Sequence, residues 1–465
     1  MHKLLTPITR TDSYKASHYL QYPPETTRVS SYIEARGGDF DEVVFFGLQA
    51  FIKEYLTVPI TKPDVEAAKK LFEAHGEPFN YDGWMIIVNE YGGILPLEID
   101  ALPEGMVTPT GVPQVQVVNT DERLPWLTSY IETALLRAVW YPSTVATLSR
   151  EVKKIIYQGL IHTADDPDAE IGFKLHDFGA RGASSSETAM LGGMAHLVNF
   201  MGTDNVEGLI GPMAYYNAKG PVGFSIPATE HSTVTSWSKS GELAMFRNFL
   251  EQHPTGIIAC VSDSYDIFNA TKNYWGKELK DAVLAREGTL VVRPDSGNPT
   301  LMPLDVIEIL MEQFGHTVNS KGFRVLPPQV RVIQGDGMDV ETIRRLLMNA
   351  IDRGISVENF AMGMGGGLLQ KVDRDTCKYA MKANAVEVAG KWQDVLKDPI
   401  TDQGKRSKRG VQAVVKRDNG YESVRDDQLA WGAHGKERTW LRPVYYNGAL
   451  LRDYTFDEVR ERAAI

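Results

Sequence analysis

The chain has 465 residues, 43% hydrophobic and 23% charged, with 49 basic against 60 acidic side chains and a formal net charge of −11. That balance fits a soluble globular protein of two or three domains, or one β/α barrel with additions. It excludes nucleic acid as a general partner, so any anion has to be met by local basic clusters. Two cysteines, Cys260 and Cys377, rule out a disulfide scaffold and point to a reducing, cytoplasmic setting; no stretch has the apolar length of a signal peptide or membrane span.

The first polar segment, Thr11-Asp-Ser-Tyr-Lys-Ala-Ser-His-Tyr19, reads as a short surface helix capped by Asp12 or Ser13 and broken by Pro23-Pro24. Val29 to Arg36 alternates like a strand and ends at Gly37-Gly38. Arg36 there can hold a phosphate, although arginines so placed are more often simply solvated. Residues 46–90 carry amphipathic helices, and Gly93 to Asn119 has short alternating runs that suit a small antiparallel sheet. Leu127–Trp140 and Thr144–Ile161 read as two apolar-faced helices.

From Ile171 the pattern changes. A strand over Ile171–Leu175, a turn at Gly179 and Gly182, and a helix from Ser184-Ser-Ser-Glu187 to about Asn199 put Phe178 and Arg181 at a strand's carboxyl end. Ile257–Asp263, Leu290–Gly297, Val330–Asp336 and Phe360–Gly367 repeat the plan, each an apolar run closing on acids or glycines, with helices between them. The expected class is α/β, with an irregular, TIM-like β/α barrel over residues 146–375. A mixed domain over 1–145, completed by 376–465, accompanies it.

The strand ends carry the chemistry. An aromatic face at Phe178 beside the Arg181 guanidinium suits a flat ring that bears or gains a phosphorylated sugar; the plain alternative is a βα turn with Phe178 in the core. Asp263, Asp295 and Asp336 are each explicable as turn formers. Together with Arg293 they suit Mg²⁺ and a sugar phosphate, since Mg²⁺ usually bridges substrate phosphates and keeps several waters. Gly363-Met-Gly-Gly-Gly367 lets backbone N–H groups close on a phosphate, and no P-loop signature is present. In Pro227-Ala-Thr-Glu-His-Ser232, His231 beside Glu230 is either a satisfied structural histidine or an imidazole able to accept a phosphoryl group.

Read together, Thr11-Asp-Ser-Tyr-Lys, His176-Asp-Phe-Gly-Ala-Arg-Gly, Gly202-Thr-Asp, Pro227-Ala-Thr-Glu-His-Ser, Ser262-Asp-Ser-Tyr-Asp, Arg293-Pro-Asp-Ser-Gly-Asn-Pro, Gln334-Gly-Asp-Gly, Gly365-Gly-Gly-Leu-Leu-Gln-Lys, Lys397-Asp-Pro and Lys405-Arg-Ser-Lys resemble the nicotinamide phosphoribosyltransferase family over nearly the whole chain. The resemblance implies a type II phosphoribosyltransferase working as a homodimer with shared sites. Phe178 and the other subunit's Tyr14 would sandwich the pyridine ring, Asp204 would accept its carboxamide NH₂, and Arg181 would lie near ring and ribose phosphate. Arg293, Asp295, Gly335, Asp336, Gly365, Gly366 and Ser225 would hold the phosphoribosyl unit. Arg36, Arg374, Lys382, Lys397 and Lys405 would reach the pyrophosphate. ATP would phosphorylate His231, oriented by Glu230 and Asp263, with Asp295 and Asp263 as Mg²⁺ ligands. Ala259 stands where members of the family often carry serine.

A type I phosphoribosyltransferase would show an apolar strand run ending in paired acids, and Asp165-Asp166 and Asp426-Asp427 lack that lead-in; three other rivals are weighed at this level. Nicotinate phosphoribosyltransferase is disfavoured because the Asp204 carboxylate would face the substrate's own. A non-catalytic barrel would not need the full set of acids with His231. A sugar-phosphate isomerase or aldolase leaves the Phe178–Asp204 pair unexplained.

Overall fold

A computed structural model of the protein describes residues 5–401, 406–429, 431–432, 435–436 and 438–465. The chain divides into two compact units. One comprises residues 1–147, 211–219 and 373–464; the other comprises 148–210 and 220–372, with the terminal Ile465.

The first unit is organised on a seven-stranded antiparallel sheet. Its order is Lys391–Asp394, Ala380–Val388, Thr26–Glu34, Pro113–Asn119, Leu97–Ala101, Arg442–Tyr446 and Ala449–Leu450. Period-two patterning sets its faces: Leu97, Ile99 and Ala101 are buried while Glu98 and Asp100 lie on the other side. The buried face packs with the helices Lys62–His75 and Tyr81–Glu90 around Trp84, Trp126 and Tyr130. Tyr32 pairs with Lys382 across the central strands, so the C-terminal part of the chain completes the N-terminal sheet. That pairing also brings Lys382 towards the end of the strand that leads to Arg36.

Two local expectations change. The helices predicted over Leu127–Trp140 and Thr144–Ile161 form a short helix, Trp126–Tyr130, and one continuous 32-residue helix, Glu132–Thr163, which carries Pro142 inside it. Proline removes one backbone N–H donor and crowds the preceding turn. Gly47, at φ +105°, leaves room for the ring: a Cβ there would lie 2.3 Å from Pro142 Cγ. The segment after Thr11 is a 3₁₀ helix, Ser13–Leu20, and Asp12 at its N-cap accepts from the Thr133 hydroxyl at 2.7 Å instead of capping.

The second unit contains six parallel strands in the order Gly202–Thr203, Leu175–Asp177, Phe360–Met364, Val330–Gln334, Leu290–Arg293 and Ile258–Val261. The strand predicted over Ile171–Leu175 is displaced and shorter: residues Pro167–Ile171 are helical, and the strand is Leu175–Asp177. The two sheet edges are joined by the extended segment Phe224–Ala228. Phe224 bridges Gly202 on one side and Ala228 bridges Ala259 on the other, both in parallel sense. This seam closes an irregular barrel. Ala259, Val291 and Ile333 face inward with Phe178, Ile226 and Ala361, while Cys260, Val292, Val332 and Met362 are fully covered. Amphipathic helices follow the strands; Val340–Asp352 buries Ile343, Leu346, Leu347 and Ala350, and Asp339 caps it through Thr342 N at 2.9 Å.

Candidate active site

The carboxyl ends of the parallel strands meet at one mouth of the barrel, the place where such folds assemble sites from loops. Asp177 ends one strand and Phe178 follows it, Asp204 follows another, Arg293 ends a third with Asp295 just beyond, and Asp263, Gly335 with Asp336, and Gly365 with Gly366 follow the rest. A cavity of about 550 Å³ occupies the barrel interior, lined by Phe178, Asp204, Ser225 and Arg293 at this mouth and by Glu170, Ile257, Pro328 and Glu358 at the amino ends of the strands.

Glycine makes the space beside Phe178. A Cβ on Gly363 would lie 2.0 Å from Phe178 Cε2, so the ring occupies the volume a side chain would take. A Cβ on Gly335 would stand 3.3 Å from the same ring and 3.4 Å from Asp295 Oδ1. Gly335 thus separates the aromatic face from the Asp295 carboxylate and keeps the gap between them open. Gly366 has nothing within 4 Å of its ideal Cβ, which leaves its backbone accessible. Arg181 and Asp336 are exposed at this mouth.

Asp204 accepts a short hydrogen bond from the Ser225 hydroxyl on its Oδ1. Ser225, expected with the phosphoribosyl residues, lies on the closing seam and bonds to Asp204. Behind it, Asp177 accepts from Gly179 N at 2.7 Å and Asn205 Nδ2 at 3.0 Å, which fixes the turn after the strand. Burial pushes the Asp177 carboxyl up to about 6, and it lowers His176, while the neighbouring Asp204 opposes the His176 shift. Asp177 lies within the His176–Gly182 motif, whereas no pattern in the sequence marks Asn205.

The second constellation surrounds His231. Its Nε2 lies 3.0 Å from Asp263 Oδ1 and its Nδ1 lies 3.9 Å from Asp295 Oδ2. Asp263 Oδ2 accepts from Asp295 N at 3.1 Å, so one carboxylate ties the imidazole to the neighbouring loop. Arg293 Nε lies 3.6 Å from Asp295 Oδ1. Glu230, expected to orient the imidazole, turns to its own helix instead and accepts from Ser232 Oγ at 3.0 Å. The orienting contact is Asp263.

These positions also test the expected metal ligands. Asp263 is only 3% exposed and both its oxygens are engaged, which does not suit a direct metal contact. Asp295, 26% exposed, keeps room for a cation that takes its remaining ligands from phosphate and water. Among the described residues no group of three or more His, Cys, Asp or Glu forms a metal cage, and no helix is long and apolar enough to cross a membrane.

Of the remaining predicted residues, Tyr14, Arg36, Arg374, Lys382 and Lys397 lie in the first unit, and the last four are near enough to influence one another. Burial, together with Arg36, Lys397 and Arg374, pulls the Lys382 ammonium below its usual range, while Glu132 opposes the shift. Arg36 Nε and Nη1 are buried without a hydrogen-bond partner among the described residues. Tyr14 is 56% exposed in the helix Ser13–Leu20. Lys405 lies outside the described residues.

The sequence model of the Nicotinate phosphoribosyltransferase (NAPRTase) family matches residues 173–431, and that of the nicotinamide phosphoribosyltransferase N-terminal domain matches residues 7–99. A nicotinamide phosphoribosyltransferase of Xanthomonas campestris pv. campestris is 50% identical over 468 residues, covering 100% of this chain and 99% of the relative. This chain belongs to the nicotinamide phosphoribosyltransferase family. It is a phosphoribosyltransferase. The Acinetobacter baylyi nicotinamide phosphoribosyltransferase is 33% identical over 498 residues, covering 99% and 97% of the two chains. In fold, the chain is similar to the nicotinate-nucleotide pyrophosphorylase of Pyrococcus furiosus, with a TM-score of 0.61, 16% identity and coverage of 97% and 93%. Human nicotinic acid phosphoribosyltransferase gives a TM-score of 0.59, with 18% identity and coverage of 97% and 92%.

Proposed function

We propose that this enzyme transfers the 5-phosphoribosyl group of phosphoribosyl pyrophosphate to nicotinamide, giving nicotinamide mononucleotide and pyrophosphate in NAD salvage. The observation that carries the reading is the Asp204 carboxylate, held by Ser225 within the cavity that Phe178 lines. The ring stacks on Phe178, and Asp204 accepts from the carboxamide NH₂. Stacking contributes about 0.5–1.5 kcal/mol per face beyond burial and helps align the ring nitrogen with the sugar carbon. A carboxylate substrate would meet repulsion at Asp204 and leave its acceptor without a donor.

Pyridine nitrogen in nicotinamide is a weak nucleophile, so the sugar carbon develops positive charge before the new bond forms. Asp295, beyond the Gly335 gap, lies on the phosphoribosyl side and tolerates that charge. Bound Mg²⁺ would stabilise the departing pyrophosphate from Asp295. His231 accepts the γ-phosphoryl group of ATP, with ADP as the leaving group, while Asp263 fixes its ring, and this step stimulates transfer.

The barrel mouth carries Arg181 and Arg293 among several acids, whereas the other unit has Tyr14 and the Arg36, Arg374, Lys382 and Lys397 cluster. These surfaces complement each other chemically, and they support a homodimer in which one protomer's patch serves its partner's barrel. Purified protein assayed with nicotinamide or nicotinate, phosphoribosyl pyrophosphate and Mg²⁺, with and without ATP, tests the reaction. Preference for nicotinate would overturn it. Mixing inactive Tyr14→Ala with inactive Asp295→Ala tests the shared site: restored activity is expected, and none despite proven subunit exchange refutes it.

A further inference from the structure

The seven-stranded sheet has a second face, turned away from the Trp84 core, and part of that face is hollow. A cavity of about 420 Å³ lies there, lined by Ser30, Glu98, Asp100, Gln116 and Tyr446, with Arg28 and Trp392 beyond them. The strand register brings these side chains together. Tyr446 lies opposite Glu98, Glu98 opposite Val118, and Val118 opposite Ser30; in the next row Asp100 lies opposite Gln116. Residues opposite each other in antiparallel strands share a face, with Cβ atoms about 4.5–5.5 Å apart. A phenol ring and two carboxylates therefore converge on one small area of the sheet.

Three polar groups of this lining have no use in the fold. Asp100 Oδ1 is buried without a hydrogen-bond partner, and no cation offsets the burial and the Glu98 charge that act on its carboxyl. Ser30 is 3% exposed and lines the cavity, and among the described residues its hydroxyl has no hydrogen-bond partner. Gln116 Oε1 accepts from Gln412 N at 2.9 Å and from Asn384 Nδ2 at 3.3 Å, while its own amide N–H groups bond to nothing among the described residues. The arginine of the lining is drawn to the neighbouring strand, with Arg28 Nε 3.7 Å from Glu387 Oε2. Buried acceptors without donors cost stability, and a chain keeps them where they serve a ligand. A bare metal ion would leave most of the volume empty and would find too few oxygens. Val118, Val411 and the half-exposed Tyr446 ring call for carbon surface instead.

We propose that this cavity binds a small organic cation. Its charged nitrogen is taken by Asp100 and Glu98, its flat face lies on Tyr446, and Ser30 and Gln116 bond the polar atoms at its rim. All these residues belong to the first unit, and none is among those assigned to the transfer reaction. Benzamidinium, a flat ring carrying a delocalised cation, is the probe. It is titrated calorimetrically at pH 8, where the Asp100 carboxyl, raised to about 6, is ionised. The unmodified protein is expected to bind it; Asp100→Asn weakens binding by about tenfold or more, and Tyr446→Leu by about threefold. Asp204→Ser removes the other carboxylate able to take the probe and is expected to keep this binding. Asp100→Asn discards an unpartnered buried charge, so its fold is retained, as melting temperatures check. Tyr446→Leu, at a half-exposed position, gives a second reading. No binding to the unmodified protein, equal affinity in Asp100→Asn, or binding lost only in Asp204→Ser overturns the proposal.

Discussion

Gly363→Ala is the sharpest perturbation of the base site. The new methyl carbon would start 2.0 Å from Phe178 Cε2 and 2.1 Å from Cδ2. Ordinary carbon contact lies near 3.5 Å, so the ring must retreat by about 1.5 Å. Its interior neighbours include Ile226, Ala259, Val291, Ile333 and Ala361, and the open direction is the cavity where the pyridine ring is proposed to bind. Overpacking of this kind costs about 1–3 kcal/mol, and loss of a stacking face costs about 0.5–1.5 kcal/mol. The stacking part alone predicts a rise in KM for nicotinamide of about twofold to tenfold. Blocking of the cavity by the displaced ring adds to this. Calorimetry gives the stability cost, and initial rates across nicotinamide concentrations give KM. Adding Phe178→Leu to Gly363→Ala should restore most of the stability and none of the affinity. Unchanged KM in Gly363→Ala would show that the Phe178 ring is not the surface on which the substrate lies.

Three further expectations follow from the same geometry. Asp204→Ser removes a carboxylate acceptor worth about 1–3 kcal/mol, so kcat/KM for nicotinamide should fall by about tenfold or more while nicotinate improves relative to it; a constant ratio would dismiss Asp204 as the selector. His231→Ala should keep basal transfer and lose its ATP stimulation, with acid-labile label from γ-labelled ATP in the unmodified protein only; equal labelling of the variant would remove His231 from the mechanism. Asp100 lies on the sheet face with a buried, unpartnered Oδ1, and burial, then Glu98, pushes its carboxyl up to about 6. A raised value means that the stabilisation is complete below the unfolded value near 4 and is lost as pH climbs through about 6. Asp100→Asn should therefore stabilise the protein by on the order of 1–2 kcal/mol at pH 8 and by little below pH 4, as read by denaturant unfolding at both values. Equal effects at the two pH values would refute the assignment.

What the sequence showed depended on how local each signal was. The strand ends at Asp263, Asp295, Gly335 and Gly365 were legible because apolar runs closing on acids and glycines are contiguous in the chain. The Pro142 helix was not, because continuity there depends on space left by Gly47, 95 residues earlier. Glu230 and Asp263 both looked able to orient His231; only the pairing of neighbouring strands decides for Asp263. The contact of Ser225 with Asp204 was hidden for a similar reason. Ser225 occupies a seam with no strand-like alternation of its own, and its partner Asp204 comes from an adjacent parallel strand end.

The seam has a consequence for how such a site can change. Its ties to the neighbouring strands are concentrated at its two ends. Phe224 exchanges bonds with Met201 and Thr203, while Pro227 and Thr229 bond to Ala259. Ser225 and Ile226 stand between these anchors. Substitution there alters what the cavity recognises without breaking a continuous ladder of backbone bonds, whereas the same change in any other stave would disturb two neighbours at once. Substrate choice is thereby written on the part of the barrel where folding imposes the fewest demands. A protein built in this way can drift between related ring substrates by small steps and still fold throughout.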